Sequence, residues 1–521
     1  MATPSEKLAQ SLERLKALQD DNVVAIASSL LGRTDRERLL KNGFISEVSK
    51  GWYISLSPEM KKGDTTGWYS SYWTFCSDYL NQKFKGNWVL SPEQSLSIQV
   101  SNYTVPQQLA VRSKDASNNI VNLAHNTSIL AIKEKETKRD IKVTNDGLRV
   151  YPLPEALINI SPRFFLQNPI DVRSALLSVN DASAILSVLL KNGKSVVAGR
   201  MVGAFRNIGR SDISDEIKNT FEFAGYEVRE NDPFQEKIEI LSFDRVESPY
   251  VSRIRMMWSS MRQDVIDNFK KPEIGIPEDK ENYFKKIEEI FVTDAYNSLS
   301  IEGYKVSEEL IIKIRDGKWN PEKDKGDRER LNALAAKGYF DAFNKVKESI
   351  SMILDDQDQG NVVKSHLNDW YRSMFSPSVT AGILEPSDLA GYRSINVYIG
   401  GSRHTPPNAS SVRDAMPELF RLIKEEPVAS VRAILGHFIF VYIHPFMDGN
   451  GRTGRFLMNT MFASGGFDWT VIPVEKREQY MSSLEDASVR SNIKTFTKFI
   501  NGIVESNEYN HKPKEDNIEP K

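Results

Sequence analysis

The sequence predicts a multidomain α+β protein, in which a large helical core follows two smaller N-terminal regions. A chain of 521 residues is too long for one ordinary domain. From Tyr250 onward apolar residues recur almost throughout at helical spacing, whereas most strand-like alternation lies before this point. Turn signals at Asn231–Pro233 and Glu247–Pro249 favour a boundary near residue 240. The predicted regions are 1–60, 61–240, 241–505 and a polar tail, 506–521, expected to be disordered.

The composition, with 40% hydrophobic and 26% charged residues, is normal for a soluble globular protein. A net charge of −2 excludes a global electrostatic attraction to nucleic acid or to a membrane surface. The one cysteine, Cys76, excludes an internal disulfide and a cysteine-based zinc site, as is typical of a reducing compartment. The chain begins without an apolar signal segment, and its longest apolar run, Ala433–Phe446, is too short to span a bilayer. We therefore expect a cytoplasmic protein with no membrane partner.

Residues 1–60 are predicted to form a small helical unit that is closed by a β-hairpin. The apolar face of the first helix consists of Leu8, Leu12, Leu15 and Leu18. Val23–Leu31 and Thr34–Leu40 favour two more short helices. Phe44–Ile45 and Trp52–Ile54 flank the turn V-S-K-G, which indicates a hairpin. Helices followed by a hairpin are typical of a winged helix, and the unit resembles the head of AbiEi-type antitoxins.

A winged helix is a common DNA-binding module, so operator DNA is a candidate partner of residues 1–60. The basic residues available for phosphate contacts are Arg33, Arg36, Arg38 and Lys41. Asp35 and Glu37 interleave with these residues, so the segment is not a continuous basic patch. A neutral protein-docking domain is the alternative interpretation.

Residues 61–240 are predicted to form a mixed α/β region, which also resembles AbiEi-type antitoxins. The predicted strands are Ser97–Thr104, Thr127–Lys133 and Asp140–Arg149, and the predicted helices are Val172–Leu190 and Ile213–Ala224. The glycine-rich stretch Gly199–Arg210 lacks the spacing of a phosphate-binding loop. Its apolar residues recur at helical intervals, which favours a packed helix. No catalytic group of residues is evident in this region.

The functional prediction depends on one stretch, His444–Arg455, with the sequence H-P-F-M-D-G-N-G-R-T-G-R. Pro445 disfavours helical geometry at His444, so the apolar helix that precedes it should end there. The imidazole of His444 is then placed at a helix end, where it points into a loop. A histidine in that position is available to take a proton from a substrate.

The glycines that follow this histidine predict an anion site. Gly449 and Gly451 permit positive φ, so that backbone N–H groups can turn toward an anion. The pattern then becomes helical again, which places Arg452 and Arg455 on the first turn of a new helix. Two cations there oppose the helix dipole unless an anion binds. Asp448 supplies a hard oxygen ligand beside that anion, which suits Mg²⁺.

This stretch resembles the motif of the Fic family, H-x-F-x-[DE]-G-N-G-R-x-x-R, at every fixed position. The resemblance implies a protein adenylyltransferase, which transfers AMP from ATP to a Tyr, Thr or Ser hydroxyl of a protein. His444 would be the general base, and Asp448 would hold Mg²⁺ on the α- and β-phosphates. Arg452 would bind the β-phosphate and Arg455 the γ-phosphate. The other nucleotide-binding residues implied within the motif are Gly449, Asn450, Gly451, Thr453 and Gly454.

The helical core is interrupted by residues 392–407, which alternate like a strand. The core helices predicted before this interruption are 251–269, 279–301, 306–316, 327–352 and 361–374. Within the interruption, Gly400 and Gly401 turn the chain, so we expect a β-hairpin with an exposed edge. Such an edge can bind an extended peptide by strand addition. The segment resembles the Fic flap, which implies docking of a target protein and nucleotide contacts from Val397, Ile399 and Gly400.

The stretch Ser298–Gly303, S-L-S-I-E-G, is the second feature that supports this resemblance. Ser298 and Glu302 are four residues apart, on one face of a helix that Gly303 ends. The stretch resembles the inhibitory motif of the Fic family, [ST]-x-x-x-E-[GN]. In the absence of ATP bound for transfer, the carboxylate of Glu302 is predicted to form a bidentate pair with Arg455 in place of the γ-phosphate.

Arg477 and Tyr480 resemble a family segment in which a tyrosine packs near the base, and Tyr480 is therefore a predicted nucleotide-binding residue. Two alternatives to AMP transfer stay open. The transferred group can be UMP, phosphate or phosphocholine, because family members share the motif and differ in how they orient the donor. Alternatively, the chain is a DNA-binding repressor or antitoxin whose Fic core is a restrained sensor. The sequence identifies neither the target protein nor the oligomeric state, and a homo-oligomer stays open.

Overall fold

The computed structural model describes residues 3–58, 64–135, 140–191, 193–235, 248–319 and 327–506. The chain divides into two compact units, of which the first comprises residues 1–253 with 398–405 and the second 254–397 with 406–521. The polar tail predicted beyond residue 506 lies outside the described residues. Within the described ranges, no helix combines the length and the apolar character that crossing a bilayer requires.

The N-terminal part of the first unit is a small sheet covered by two helices. Its elements are α1 (Pro4–Asp20), β1 (Ile26–Ala27), α2 (Arg33–Lys41), β2 (Ile45–Ser49) and β3 (Trp52–Ser55). The strands are antiparallel in the order β1-β3-β2. A small core joins helices to sheet through Leu15, Ile26, Leu31, Leu39, Ile45 and Tyr53. The predicted first helix, the helix over 34–40 and the hairpin are confirmed.

The predicted helix over Val23–Leu31 is wrong, because tertiary contacts keep this segment extended. The backbone N–H groups of Val24 and Ala25 donate to the carboxylate of Asp78, at 3.0 and 3.3 Å. Ile26 pairs with Tyr53 as part of the sheet. The apolar residues of the segment are therefore buried by strand pairing instead of a helical face.

The rest of the first unit combines a four-stranded sheet and a two-stranded sheet with helices. Its strands are β4 (Val89–Leu90), β5 (Gln108–Ser113), β6 (Asn119–Asn122), β7 (Ser128–Lys133), β8 (Lys142–Val143) and β9 (Arg149–Val150). Its helices are α3 (Thr66–Phe84), α4 (Pro92–Gln99), α5 (Leu153–Asn159), α6 (Pro162–Gln167), α7 (Pro169–Leu177), α8 (Ser183–Leu190), α9 (Ser195–Asn207) and α10 (Ser211–Phe223). The larger sheet has the order β4-β5-β7-β6, and β5 and β7 are parallel. Aromatic side chains of α3, including Trp68 and Phe75, share its core.

Three of the secondary-structure predictions for this region need correction. Ser97–Thr104 is not a strand, because Ser91 caps α4 through its hydroxyl and the helix continues to Gln99. Val172–Leu190 is two helices, since Asp181 accepts the N–H of Ser183 and starts a new one. The strand predicted over 140–149 is the short antiparallel pair β8 and β9. The strand over 127–133 and the helices over 199–210 and 213–224 are confirmed, each to within a few residues.

Among its described residues the second unit consists of helices joined by loops, with no strands. Its helices are α11 (Pro249–Asn268, from residue 254 on), α12 (Lys280–Ile301), α13 (Glu308–Arg315), α14 (Asp327–Leu354), α15 (Gln359–Thr380), α16 (Val412–Glu425), α17 (Ala429–Ile443), α18 (Asn450–Ala463), α19 (Arg477–Arg490) and α20 (Lys494–Ser506). Short 3₁₀ helices occupy Pro386–Leu389 and Val474–Lys476. Nearly every residue of α17 and α18 is buried, and these two helices pack against each other. The loop that joins them contains the histidine and glycines of the predicted motif.

Candidate active site

His444 ends α17 in a left-handed backbone conformation, with φ 52° and ψ 59°. Its ring nitrogen Nδ1 lies 3.1 Å from the carbonyl oxygen of Val441. Because a carbonyl only accepts, Nδ1 carries the proton and Nε2 keeps its lone pair. Burial lowers the pKa of His444 to about 4, although the Val441 carbonyl opposes this shift. The imidazole is therefore neutral near pH 7, as a general base must be.

The loop after His444 is held by its own side chains. The side-chain amide of Asn450 accepts the N–H of Phe446 and donates to the Phe446 carbonyl, both at 2.9 Å. Gly449 has φ 77°, and a Cβ there would lie 2.8 Å from the ring of Phe375. Only glycine fits that position without strain. We call residues 444–455 the motif loop; its last six residues form the first turns of α18, whose leading N–H groups have no partner within the helix.

Arg452 and Arg455 are both buried, with only 1% and 4% of their surfaces exposed. The guanidinium of Arg452 lies 5.1 Å from the ring centres of both Tyr304 and Phe375. Its Nε makes no hydrogen bond within the described chain. A buried guanidinium that keeps an unused N–H is an available anion-binding group.

Arg455 is engaged by the C-terminal end of α12. Its Nη2 donates to Glu302 Oε1 at 2.8 Å and to the Ser298 carbonyl at 3.0 Å, while its Nε donates to the Ser298 hydroxyl at 2.8 Å. The predicted bidentate pair is therefore replaced by one carboxylate contact and two contacts to Ser298. Burial acts to raise the pKa of Glu302, but the charges of Arg455 and Arg452 outweigh burial and lower it. Glu302 is an anion in this arrangement.

Gly451 permits the close approach of this carboxylate. A Cβ at position 451 would lie 2.3 Å from Glu302 Oε1, which is closer than atoms can approach. Glu302 is also the residue that caps α12, and Arg477 Nε donates to the neighbouring Ile301 carbonyl at 2.7 Å. The structure thus brings Ser298, Glu302 and Arg455 into direct contact and seats the carboxylate against the backbone of the motif loop.

Residues 363–462, which contain this loop, match the model of the Fic/DOC family. The chain contains a Fic domain. Protein adenylyltransferase Fic from Drosophila erecta is 35% identical over 123 residues, which are 23% of this chain and 24% of that protein. Protein adenylyltransferase Fic from Drosophila ananassae is 36% identical over 123 residues, which are again 23% of this chain and 24% of that protein. The chain thus spans about a quarter of the length of these curated relatives.

Solved structures show only limited similarity to this chain. A fragment of Fic-1 from C. elegans has a TM-score of 0.35 at 18% identity, covering 62% of this chain and 89% of its own. A Fic-domain signaling protein from Bacteroides thetaiotaomicron has a TM-score of 0.35 at 15% identity, covering 49% of this chain and 92% of its own.

Asp448 is the exposed carboxylate of the Fic domain's motif loop, with 67% of its side chain accessible. Its Oδ1 accepts the N–H of Gly449 at 2.6 Å, and its Oδ2 lies 3.3 Å from Arg452 Nη2. In the described chain no three His, Cys, Asp or Glu side chains are arranged to hold a metal ion by themselves. A single accessible carboxylate fits Mg²⁺, which usually takes one or two protein carboxylates and completes its shell with phosphate oxygens and water.

Two buried polar pairs, Asp294 with Tyr339 and Tyr480 with His437, were not predicted from the sequence. Asp294, one helical turn before Ser298, accepts a 2.6 Å hydrogen bond from the Tyr339 hydroxyl. Burial raises the pKa of Asp294 to about 6. Tyr480, predicted to contact nucleotide, is 1% exposed and its hydroxyl lies 2.8 Å from His437 Nε2. The available signal for Asp294 was an acidic residue on the apolar face of a helix, four positions before Ser298.

The β-hairpin predicted over residues 392–407 is wrong, because these residues form bends, turns and irregular segments without a strand ladder. A turn does occur where the glycines predict it, since Ser402 N–H donates to the Ile399 carbonyl at 3.1 Å. Residues 398–405 belong to the first unit, in which the Val105 N–H donates to the Arg403 carbonyl at 2.9 Å. Val397 is half-buried in the second unit. The nucleotide contacts of Val397, Ile399 and Gly400 stay predictions.

Proposed function

We propose that this chain is a protein adenylyltransferase that transfers AMP from ATP to a Tyr, Thr or Ser hydroxyl of a protein, itself included. The observation that carries the proposal is the neutral His444, whose Nε2 is available as a base beside the buried arginines of the motif loop. The Fic-family match over residues 363–462 supports it. So does the identity with adenylyltransferases over that part of the chain.

In the proposed reaction, His444 Nε2 takes the proton of the target hydroxyl as its oxygen attacks the α-phosphorus. The bond from the α-phosphorus to the bridging oxygen breaks, and pyrophosphate leaves. The N–H groups of Asn450 and Gly451 face the phosphate oxygens, whereas the Gly449 N–H donates to Asp448 Oδ1. Arg452 binds the β-phosphate and Arg455 the γ-phosphate, each through a planar donor fork. The target protein docks on residues 392–407.

Asp448 is the residue proposed to hold Mg²⁺. Its accessible carboxylate lies one residue before the glycine that begins the phosphate cradle. Bound there, the ion would neutralise charge on the phosphates of ATP. Asp448 also lies 3.3 Å from Arg452 Nη2, so that it orients this guanidinium toward the same phosphates.

Glu302 is proposed to restrain the enzyme. Its carboxylate and Ser298 occupy the donors of Arg455 that would otherwise meet the γ-phosphate. ATP that binds without this contact holds its α-phosphate away from attack, and misplacement of about 1 Å can lower a rate about a hundredfold.

Substitution of Glu302 tests both the activity and its restraint. Glu302→Gly should raise self-labelling from ATP by at least about tenfold, and Ser298→Ala should raise it less, because Arg455 keeps its contacts to Glu302 and to the backbone carbonyl of residue 298. Glu302→Gln separates charge from shape, and Glu289→Gln, at an exposed position of the same helix, is the matched control. Labelling is measured across ATP concentrations with Mg²⁺ present. If Glu302→Gly transfers no more than wild type, the assignment is wrong.

The identity of the transferred group is tested with the same activated variant. UTP, CDP-choline and γ-labelled ATP are compared with α-labelled ATP as donors. We expect label from the α-phosphate of ATP alone. Preferred transfer from another donor would replace AMP with that group while leaving the roles of the motif loop intact.

Operator DNA binding by residues 1–60 is a second candidate function. The sheet order β1-β3-β2 with α2 directly before the β2–β3 hairpin favours a winged-helix arrangement. A mobility-shift assay on the promoter of the chain's own gene, repeated at several salt concentrations, tests it. True binding weakens steeply with salt because phosphate contacts release counterions. Absence of a shift at low salt favours a protein-docking role.

A further inference from the structure

Arg393 is buried at the base of the flap, with 1% of its surface exposed, and its side chain binds backbone carbonyls. Its Nε donates to the His444 carbonyl at 2.8 Å, and its Nη1 to the Ile395 carbonyl at 3.0 Å. Its Nη2 donates to the carbonyls of Pro407 and, at 3.4 Å, Ile443. All three nitrogens of the guanidinium are therefore used on backbone atoms.

These four carbonyls belong to two segments that are separate in the sequence. Ile395 and Pro407 lie on the two arms of residues 392–407, whereas Ile443 and His444 end α17. The Arg393 N–H adds a further link, because it donates to the Pro445 carbonyl at 2.9 Å. Arg393 thus links both arms of the flap, at Ile395 and Pro407, to the backbone carbonyls of residues 443–445 around the proposed base.

The flap and the helix end both need such a partner. The arms form no strand ladder between them, and besides Arg393 the Asn396 side chain links them by accepting the N–H of Ala409, just beyond the second arm, at 3.0 Å. The last carbonyls of a helix have no partner within it, and the left-handed conformation is unfavourable for a non-glycine residue. Arg393 satisfies two of these carbonyls where His444 adopts φ 52°. The hydrogen bonds of Arg393 stabilise the left-handed backbone conformation that orients the imidazole of His444.

We propose that Arg393 is a positioning residue, which couples the target-binding flap to the backbone of His444 so that the docked hydroxyl and the base keep one geometry. This inference rests on the proposed function. Arg393 touches neither ATP nor the target in this account, and it acts through the backbone carbonyls that it binds.

The charge of Arg393 has a second effect on the base. Burial is the main reason that the pKa of His444 is lowered, and the positive charge of Arg393 lowers it further. The negative charges of Glu302 and Asp448 oppose this shift, as does the Val441 carbonyl. Removal of the charge at position 393 should therefore raise the pKa of His444, whereas Arg393→Lys should not.

The test compares two variants in the Glu302→Gly full-length chain. Arg393→Lys keeps the charge but loses the fork that reaches both flap arms, and Arg393→Met loses both. Arg413→Met is the matched control, because Arg413 is exposed on α16 and makes one 3.3 Å contact to the Ala409 carbonyl. The measurements are the self-labelling rate from pH 4 to pH 8, the affinity for ATP with Mg²⁺, and the melting temperature.

We expect Arg393→Lys to label about tenfold to a hundredfold more slowly, with unchanged ATP affinity and an unchanged pH profile. Arg393→Met should be at least as slow, and its acidic limb should move to higher pH. Titration of selectively labelled histidines by NMR, with His444→Ala to assign the signal, measures the same shift without catalysis. Arg413→Met should match the parent in every measurement.

Labelling by Arg393→Lys at the parent rate would overturn the coupling. So would a loss in Arg393→Met that is matched by equal losses of ATP affinity and melting temperature with an unmoved pH profile, since that pattern describes a structural defect. A parent that transfers no AMP overturns the proposed function instead, and the NMR titration still reports whether Arg393 acts on His444.

Discussion

The arginines of the motif loop and those of the N-terminal helices have opposite surroundings. In the loop, Arg452 and Arg455 are buried, yet Arg452 Nε and Arg455 Nη1 make no hydrogen bond within the described chain. At the N-terminus, Arg36 donates to the carbonyls of Ser28 and Leu31, and Arg38 binds the Lys7 carbonyl and the Ser11 hydroxyl. In the sequence, both the motif loop and the N-terminal helices carry arginines that could bind phosphate.

The difference indicates what each set of arginines is for. A buried N–H without a partner costs about 1–3 kcal/mol, so a fold that keeps one is consistent with a ligand that supplies the acceptor. Arg455 also binds the Ser298 carbonyl and Glu302, but its Nη1 keeps an unused buried N–H, whereas Arg36 and Arg38 have no buried N–H without a partner in the described chain. By this criterion the motif loop is the stronger candidate for an anion site.

The largest expected effect lies at His444, the proposed base of the motif loop. His444→Ala should lower self-labelling in the Glu302→Gly background by about two to four orders of magnitude, because general-base catalysis is lost. ATP affinity, measured by calorimetry on the same samples, should stay unchanged. Labelling near the level of the parent would remove His444 from the mechanism.

The comparison itself is tested by removing one arginine from each region. Arg455→Ala in the Glu302→Gly background should reduce labelling about a hundredfold, because the γ-phosphate loses its donor fork. Arg38→Ala should leave labelling unchanged and should lower the melting temperature of the chain, since Arg38 binds Lys7 and Ser11. Equal effects of both changes on labelling would remove the distinction between the two regions.

A smaller effect is expected at Asp448. Asp448→Ala should abolish the gain in ATP affinity that Mg²⁺ provides, because the accessible carboxylate is the proposed ligand. Calorimetric titration of ATP with and without Mg²⁺ measures this gain. Asp414→Ala, at an exposed carboxylate on α16, controls for loss of charge. An Mg²⁺ contribution equal to that of the parent would contradict the metal role.

The smallest expected effect concerns stability, at Asp294 of α12, one helical turn before Ser298. Its folded pKa of about 6 lies above its unfolded value of 3.8, so the native state binds the extra proton between these values. The free energy of unfolding therefore falls as pH rises through this window, and the cost is complete above about pH 6. Asp294→Asn should remove a cost on the order of 2–3 kcal/mol at pH 8 and little at pH 4.

Melting curves across this pH range measure the effect of Asp294→Asn. Asp355→Asn, at an exposed position that pairs with Lys280, should show no such pH-dependent gain. A variant at Asp294 that is equally stable or less stable than the parent at pH 8 would show that the ionised carboxylate is needed to balance Arg455.

The motif loop was predictable because its residues meet local requirements. Pro445 ends the helix at His444, and the two glycines serve a left-handed turn and a close carboxylate contact. The pairing of Glu302 with Arg455 followed from helical spacing and the family resemblance. Its geometry did not, because Ser298 takes two of the contacts that a bidentate pair would use.

The errors arose where distant residues decide the local structure. Val24 and Ala25 are extended because they bind Asp78, which lies more than fifty residues away. Ser97–Thr104 alternates like a strand, but the cap at Ser91 had already started a helix. The flap alternates as well, yet its carbonyls are bound by the side chain of Arg393 and not by a second strand. Periodicity alone does not report such partners.

The contact between Gly451 and Glu302 limits which residues related sequences can have at these two positions. The backbone there has no need of glycine, since it lies in the first turn of α18 with φ outside the left-handed region. The closest obstacle to a side chain is the oxygen of Glu302, 2.3 Å from the position of a Cβ, and Arg455 Nη1 lies 3.3 Å from it. During divergence, a sequence that lost the glutamate could accept alanine at the glycine, and one that gained alanine first would expel the glutamate. Positions 302 and 451 should therefore covary, because a methyl group at position 451 would displace the carboxylate of Glu302 from Arg455.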